Sequence, residues 1–326
     1  MDLLASIIQA TLIYGTPIII AGLGGLYSER SGVVNIALEG IMMIGGFTAA
    51  TLIYFLEPYF LQSYINWAPW LAILGGALAG LLISLLHAYL SINLRSDQTI
   101  SGTAINIFAG GITVYLAGII FNQQRTEAFS QGFLRSPFPL LNRIPLLGDL
   151  FFNNLYPTVY VAIAVVVFSW YLLYKTAFGL RLRATGENPQ AVDSLGINVY
   201  KMRYIGVLTS GFLGGLAGGI MILTQTTQYT ITGIHGTGFI ALAALIFGKW
   251  KPFGVLGASL FFAFAQILSI YADSLGTALG MPILGQLPKE LYDAIPYLLT
   301  IVALILFSGR AVGPKAAGEP YDKGKR

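Results

Sequence analysis

Long apolar segments constrain this chain more than any other feature of its sequence. Segments of about 20 mostly apolar residues, the length of helix that crosses a bilayer core of about 30 Å, fill most of its 326 residues. Only 10% of the residues are charged and 56% are hydrophobic, whereas a soluble domain has about 25% charged residues. The sequence therefore predicts an all-α, polytopic membrane protein.

The apolar runs predict about nine transmembrane helices in one membrane domain, residues 1–308. Two runs differ from the others, because 237–248 is short for a crossing and 98–121 is polar for contact with lipid. We expect either of them to be broken, re-entrant or packed inside the protein. The end of the chain, 309–326, is rich in Gly, Pro and Lys and predicts a flexible cytoplasmic tail. The predicted spans are 3–27, 34–56, 69–91, 98–121, 155–174, 203–224, 237–248, 253–272 and 292–308.

The loop charges predict the orientation of the chain. If the loop 175–203 is cytoplasmic, fourteen of the 18 Lys and Arg residues lie on the cytoplasmic side. The C-terminus is then inside, the N-terminus outside, and the loops 122–154 and 273–291 face outward. The net charge of +4 reflects this bias of the loops and does not indicate nucleic-acid binding.

The residue types needed for catalysis or metal binding are scarce. The chain has no cysteine, which excludes disulfides, thiolate ligands and cysteine nucleophiles. His87 and His235 are too far apart in sequence to form a metal motif, and a lone histidine is more often structural than a ligand. Neither a GxxxxGK[ST] phosphate loop nor an HExxH motif occurs in the sequence. We therefore expect no catalytic residue, metal or cofactor in this chain.

Two polar stripes within predicted spans are candidates for a substrate path. A carboxylate at membrane depth costs about 2.5–3.5 kcal/mol, so Glu39, one turn after Asn35, should face protein or water. It either lines a path or makes a structural contact, for example with Arg30. Gln98 and Asn106 share one face of the fourth span, where their amides could bond a passing polar solute or a neighbouring helix.

Small residues indicate where helices pack closely. Gly211, Gly215 and Gly219 recur at four-residue spacing in one span, and Gly76 and Gly80 do so in another. Lipid provides no hydrophobic drive between helices, so close backbone approach at such positions must stabilise the bundle. The pattern predicts packing rather than substrate contact for these glycines.

The cytoplasmic segment 176–202 predicts a short helix that docks on a partner. Asn188 is a good N-cap, Pro189 fits the first helical position, and Gly196 fits the position after the end. The small apolar face of this helix consists of Ala191, Val192 and Leu195. Its polar face has too few Lys and Arg residues for binding to lipid, which favours docking on a protein.

Three sequence blocks carry a resemblance to a known family. They are SERSGVVNIALEGIMMIGGF at 28–47, RATGENPQAVDSLGINV at 183–199 and GTGFIALAALIFGKWKPFG at 236–254. In this order they resemble the permease family of ABC importers for ribose-type sugars, branched-chain amino acids and nucleosides. The SERSGVVNIALEG form is most similar to the nucleoside branch, which basic-membrane-lipoprotein receptors serve.

The resemblance implies a fold related to the vitamin B12 importer permease, in a bacterial plasma membrane. It implies import of a nucleoside, with a sugar or a branched-chain amino acid as the alternative substrate. The implied partners are an ATPase subunit that binds ATP and Mg, a second and non-identical permease, and an extracytoplasmic substrate-binding lipoprotein. The residues that the resemblance assigns to the ATPase interface are Gly179, Arg181, Arg183, Gly186, Glu187, Asn188, Pro189, Ala191 and Gly196.

Two other classes of function are open on the sequence alone. An ion-coupled secondary transporter would need ionisable residues at the membrane midplane, and the spans have hardly any apart from Glu39. A membrane enzyme or scaffold would not require a docking helix, and the chain shows no catalytic cluster.

Overall fold

The computed structural model describes residues 2–60, 67–130, 132–138, 147–234, 236–272 and 313–323, with single residues in 142–145 and 274–302. The described residues form helices and loops, with one isolated antiparallel bridge between Ser136 and Leu155. The α-helices are α1 (Asp2–Arg30), α2 (Leu38–Phe60), α3 (Ala68–Ala88), α4 (Gln98–Phe121), α5 (Leu147–Phe151), α6 (Pro157–Lys175), α7 (Ala177–Glu187), α8 (Pro189–Ser194), α9 (Val199–Gln225), α10 (Thr237–Phe247) and α11 (Pro252–Ile270). A π-helical turn, Tyr89–Asn93, extends α3, and a 3₁₀ turn, Ile231–Gly233, precedes α10.

Seven of these helices, α1, α2, α3, α4, α6, α9 and α11, are long and apolar enough to cross a membrane. The prediction of an all-α polytopic membrane protein is therefore confirmed. The predicted number of about nine spans is not confirmed, since most of the last predicted span, 292–308, lies outside the described residues. Of the two unusual runs, 98–121 forms the unbroken helix α4. The other run forms α10, which has only 11 residues.

Helix α9 packs against α1, α2 and α3 through glycine contacts. A Cβ atom added to Gly215 would lie 2.3 Å from the carbonyl oxygen of Gly76, and one added to Gly80 would lie 2.4 Å from that of Gly211. Real Cβ atoms do not approach oxygen so closely, so only glycine allows these backbones to meet. The prediction that these glycines pack helices together is confirmed.

Between α1 and α2 the backbone leaves helical geometry over residues 31–37. The turn begins at Gly32, whose φ of +93° is a conformation that L side chains rarely adopt. Residues 33–35 have no regular secondary structure, yet Val33 and Asn35 are fully buried. A non-helical segment thus lies inside a helical membrane bundle, where its backbone polar groups must find protein partners.

The described part of the predicted flexible tail, residues 313–323, is packed on the rest of the chain. Residues 313–323, which we call the C-terminal strap, pack against α7, α8 and α9. The N–H of Ala316 donates to the carbonyl oxygen of Gly186 (2.9 Å), and the Tyr321 side chain is buried. The polar composition of this segment predicted disorder. Composition alone does not show that the Tyr321 ring fits an apolar site on the membrane domain.

Candidate functional site

Side chains from α3 and α4 bind the backbone of the 31–37 segment. The Gln98 amide oxygen accepts a hydrogen bond from the N–H of Val34 (2.7 Å). On the other side of the same residue, Nε2 of the fully buried His87 lies 3.0 Å from the Val34 carbonyl oxygen. The second ring nitrogen of His87 lies 3.0 Å from the Ser101 hydroxyl. These contacts replace the helical hydrogen bonds that this segment lacks.

Asn106 and Asn35 extend this network. The Asn106 side chain donates to the carbonyl oxygen of Ile36 (3.0 Å) and accepts from the N–H of Gly40 (2.8 Å), so it bridges the segment to the start of α2. The Asn35 amide donates to the Ser210 hydroxyl of α9 (2.8 Å). The segment is therefore held by three helices at once.

The four predicted path residues meet at this segment. Asn35 lies in it, Glu39 lies in the first turn of α2, and the side chains of Gln98 and Asn106 bind its backbone. Two of their polar atoms, Oδ1 of Asn35 and Nε2 of Gln98, are buried without a hydrogen-bond partner among the described residues. Leaving such an atom unpaired costs about 1–3 kcal/mol. The site thus has hydrogen-bonding capacity that its own described residues do not use.

Glu39 binds the start of α10. Its two carboxylate oxygens accept from the backbone N–H groups of Gly236 (2.9 Å) and Gly238 (2.7 Å), and its side chain is buried. An 11-residue helix is about 16 Å long, so α10 is too short to cross a bilayer core. Its first N–H groups therefore need a partner inside the protein, and a carboxylate also interacts favourably with the positive end of the helix dipole.

Arg30 does not pair with Glu39. Its guanidinium instead donates twice to the carbonyl oxygen of Trp250, at 2.7 and 3.1 Å, and the Trp250 indole donates to Glu29 (2.5 Å). These contacts fasten the last turn of α1 to the turn between α10 and α11. Of the two interpretations left open for Glu39, the geometry matches a structural contact, with backbone N–H groups in place of an arginine.

Helix α8 has the termini that its sequence predicts. The Asn188 side chain accepts from the N–H of Ala191 (3.0 Å), and Pro189 occupies the first turn. At the other end Gly196, with φ of +78°, donates its N–H to the carbonyl oxygen of Asp193 (2.9 Å). Both ends of this six-residue helix are thus fixed by local hydrogen bonds.

The predicted ATPase-contacting residues fall into two groups. The Leu195 side chain, directly after α8, is 79% exposed although it is apolar. The other exposed members of the predicted set are Arg181, Glu187, Asn188, Ala191 and Gly196. These six residues are therefore the ones available to a partner.

The remaining five predicted coupling residues pack within the chain. Val192 is buried against Val199 and Tyr321, so it does not share the outward face expected for it. Arg183 donates to the carbonyl oxygen of Leu173 (3.0 Å) and lies over the Tyr174 ring. Gly179, Gly186 and Pro189 are also buried. At these positions the sequence motif reflects the folding of the α6–α8 corner.

Sequence reasoning missed several residues that build these sites, namely His87, Ser101, Ser210, Arg203 and Tyr321. For the four residues other than Tyr321, the available signal was the presence of isolated polar residues in otherwise apolar helices, which must find partners. Tyr321 lies in the C-terminal strap and gave no such signal. In the part of the chain that the structure describes, no three His, Asp or Glu side chains come together at metal-binding distance.

A membrane domain of several spans that presents a capped, exposed helix is typical of a transport subunit, and comparison with known proteins agrees. The chain belongs to the family described as branched-chain amino acid transport system / permease component, whose model matches residues 7–304. It is 49% identical to the guanosine ABC transporter permease protein NupQ of Bacillus subtilis over all of this chain and 99% of that relative.

Two further relatives carry similar names. The nucleoside ABC transporter permease protein NupC of Lactococcus lactis is 42% identical over all of this chain and 99% of its own. The guanosine ABC transporter permease protein NupP of Bacillus subtilis is 28% identical over 91% of this chain and 80% of its own. No solved structure matches the chain. The relation to the vitamin B12 importer permease fold stays a prediction.

Proposed function

We propose that this chain is a permease subunit of an ABC importer that moves nucleosides into the cell. The observation that carries the proposal is the 49% identity, along the whole chain, to a relative named as a guanosine permease. A second relative, named for nucleosides, also matches along the whole chain. Sugars and branched-chain amino acids are the alternative substrates.

The substrate path in this proposal runs beside the 31–37 segment. Asn35 and Gln98 each keep one buried amide atom without a partner among the described residues. A nucleoside has many hydroxyl and ring-nitrogen groups that could bond such amides when the segment moves. Uncharged amides bind weakly enough to release a solute, as passage through a channel requires.

ATP hydrolysis in this proposal takes place in a partner subunit that binds ATP and Mg. The partner docks on α8 and α7. The exposed Ala191 of α8 and Leu195 directly after it offer an apolar contact, and Arg181 and Glu187 of α7 offer charged ones. A short helix with both ends fixed is a stiff element, so movement of its partner is passed to the membrane domain rather than absorbed.

A second, non-identical permease completes the channel. Bacillus subtilis has two different relatives of this chain, NupQ and NupP, that are both named guanosine permease proteins. Helix α4 has room for such a partner, since a Cβ added to Gly111 or Gly118 would meet nothing within 4 Å. A substrate-binding lipoprotein delivers the nucleoside from outside, with the C-terminus of this chain in the cytoplasm.

Uptake into whole cells tests this function. A strain that lacks the gene should lose uptake of labelled nucleosides and regain it with the gene restored, while ribose and leucine uptake stay unchanged. Excess unlabelled nucleoside should compete, and excess ribose should not. Loss of ribose or leucine uptake with normal nucleoside uptake would refute the assignment.

A further inference from the structure

The C-terminal strap touches both candidate sites. One of its contacts is with the docking helix: Tyr321 packs with Val192 of α8 and Val199 of α9, and its ring lies 5.5 Å from that of Tyr200. The Lys315 ammonium also lies 3.8 Å from the Glu187 carboxylate, at the end of α7. The strap therefore covers the inner side of the helix whose outer side is free for a partner.

The strap also reaches the 31–37 segment. A Cβ added to Gly32 would lie 3.4 Å from the carbonyl oxygen of Ala316, and one added to Gly318 would lie 3.7 Å from the Val34 side chain. Val34 is the residue whose N–H and carbonyl groups bind Gln98 and His87. The strap thus contacts both α8 and the 31–37 segment, which contains the predicted path residue Asn35.

A buried arginine contacts both the strap and the 31–37 segment. Arg203, in the second turn of α9, is 1% exposed, and burying an unpaired cation is costly. Its Nη1 donates to the carbonyl oxygen of Glu319 (2.9 Å), and its guanidinium carbon lies 6.0 Å from the Tyr321 ring centroid. Its Nε and Nη2 have no hydrogen-bond partner among the described residues and lie beside Gly32. The strap therefore supplies the contacts that allow this cation to stay next to the segment.

An ion pair fixes the strap at a further point. Arg95, in the loop after the π-helical turn of α3, lies 3.3 Å from the Asp322 carboxylate. Both side chains are partly exposed, so this pair contributes little energy. It does place the strap in contact with the loop that leads into α4. Helix α4 bears Gln98 and Asn106.

We propose that the strap is a positioning element of transport, which links the ATPase-docking helix α8 to the 31–37 segment. Movement of α8 on its ATPase displaces Tyr321, and through Glu319 and Arg203 it displaces the segment that holds Asn35. This inference rests on the proposed function. Its expected signature is ATP hydrolysis that continues without nucleoside movement when the strap is damaged.

The test uses the complete importer in proteoliposomes and measures nucleoside transported per ATP hydrolysed. Tyr321→Ala should lower this ratio about tenfold, the change that about 1.4 kcal/mol produces in an equilibrium, while the complex assembles and keeps its basal ATP hydrolysis. Tyr321→Phe keeps the ring and should stay near the wild-type ratio. Lys323→Ala, at an exposed position two residues further on, is the matched control and should have no effect.

A second variant tests whether the strap passes movement from α8 to the 31–37 segment or only supplies a partner for the Arg203 cation. Deleting 313–326 together with Arg203→Met removes both the strap and the cation that needs it. We expect this variant to assemble with its ATPase and hydrolyse ATP without moving nucleoside. Wild-type transport per ATP in this variant, or in Tyr321→Ala, would overturn the inference. A wild-type importer that moves no nucleoside would instead overturn the proposed function.

Discussion

Glu39→Ala should destabilise the membrane domain strongly, because it leaves the start of α10 without a partner. Two backbone N–H groups, those of Gly236 and Gly238, lose hydrogen bonds of 2.9 and 2.7 Å to a carboxylate. A hydrogen bond to a charged group is worth about 1.5–3 kcal/mol, so losing two of them should lower the free energy of unfolding by about 3–6 kcal/mol. Glu39→Gln keeps one acceptor and should lose about half as much.

Glu57→Ala is the matched control for this prediction. Glu57 is also in α2 and also accepts two hydrogen bonds, from the Ser130 backbone and hydroxyl groups, but this contact is exposed to solvent. Water can replace these bonds, so we expect a loss below about 1 kcal/mol. Unfolding of the purified chain in mixed micelles measures all three variants. Equal stabilities for Glu39→Ala and Glu57→Ala would refute the reasoning, since they would mean that α10 needs no partner at Glu39.

The remaining predictions concern packing, coupling and topology. Gly215→Ala should cost about 1–3 kcal/mol or more in the same unfolding assay, because its Cβ would lie 2.3 Å from a neighbouring carbonyl oxygen; wild-type stability would contradict the packing. Asn188→Ala should lose a cap worth about 1 kcal/mol and only weaken ATPase binding in a pull-down, whereas Ala191→Arg should abolish it by placing a charge in the interface. Full binding by Ala191→Arg would exclude α8 as the docking element. In a chain without cysteine, a single cysteine at 188 should react only from the cytoplasm and one at Ala128 only from outside; the reverse would end the proposed orientation.

The sequence was sufficient for features that depend on local chemistry. The caps of α8 were predictable because Asn188, Pro189 and Gly196 act on backbone groups within a few residues. The glycine contacts of α9 were predictable because a four-residue spacing places small residues on one helix face.

Features that depend on distant partners were not predictable. The sequence indicates that Glu39 needs a partner, but only the fold shows that this partner is the first turn of α10, about 200 residues away. In the same way, Val192 has the pattern of an exposed docking face, and it is buried because Tyr321 of the strap packs on it. Composition also predicted a flexible tail. It could not reveal that Arg203 of α9 binds the backbone of this tail.

The most direct test of the proposed importer is nucleoside accumulation in proteoliposomes that contain this chain with its partner permease, ATPase and receptor lipoprotein. We predict that labelled nucleoside accumulates against its gradient only when ATP and Mg are present on the ATPase side, and that dissipating ion gradients has no effect. Accumulation without ATP that follows an ion gradient would contradict the account, and so would ATP hydrolysis that never moves a nucleoside.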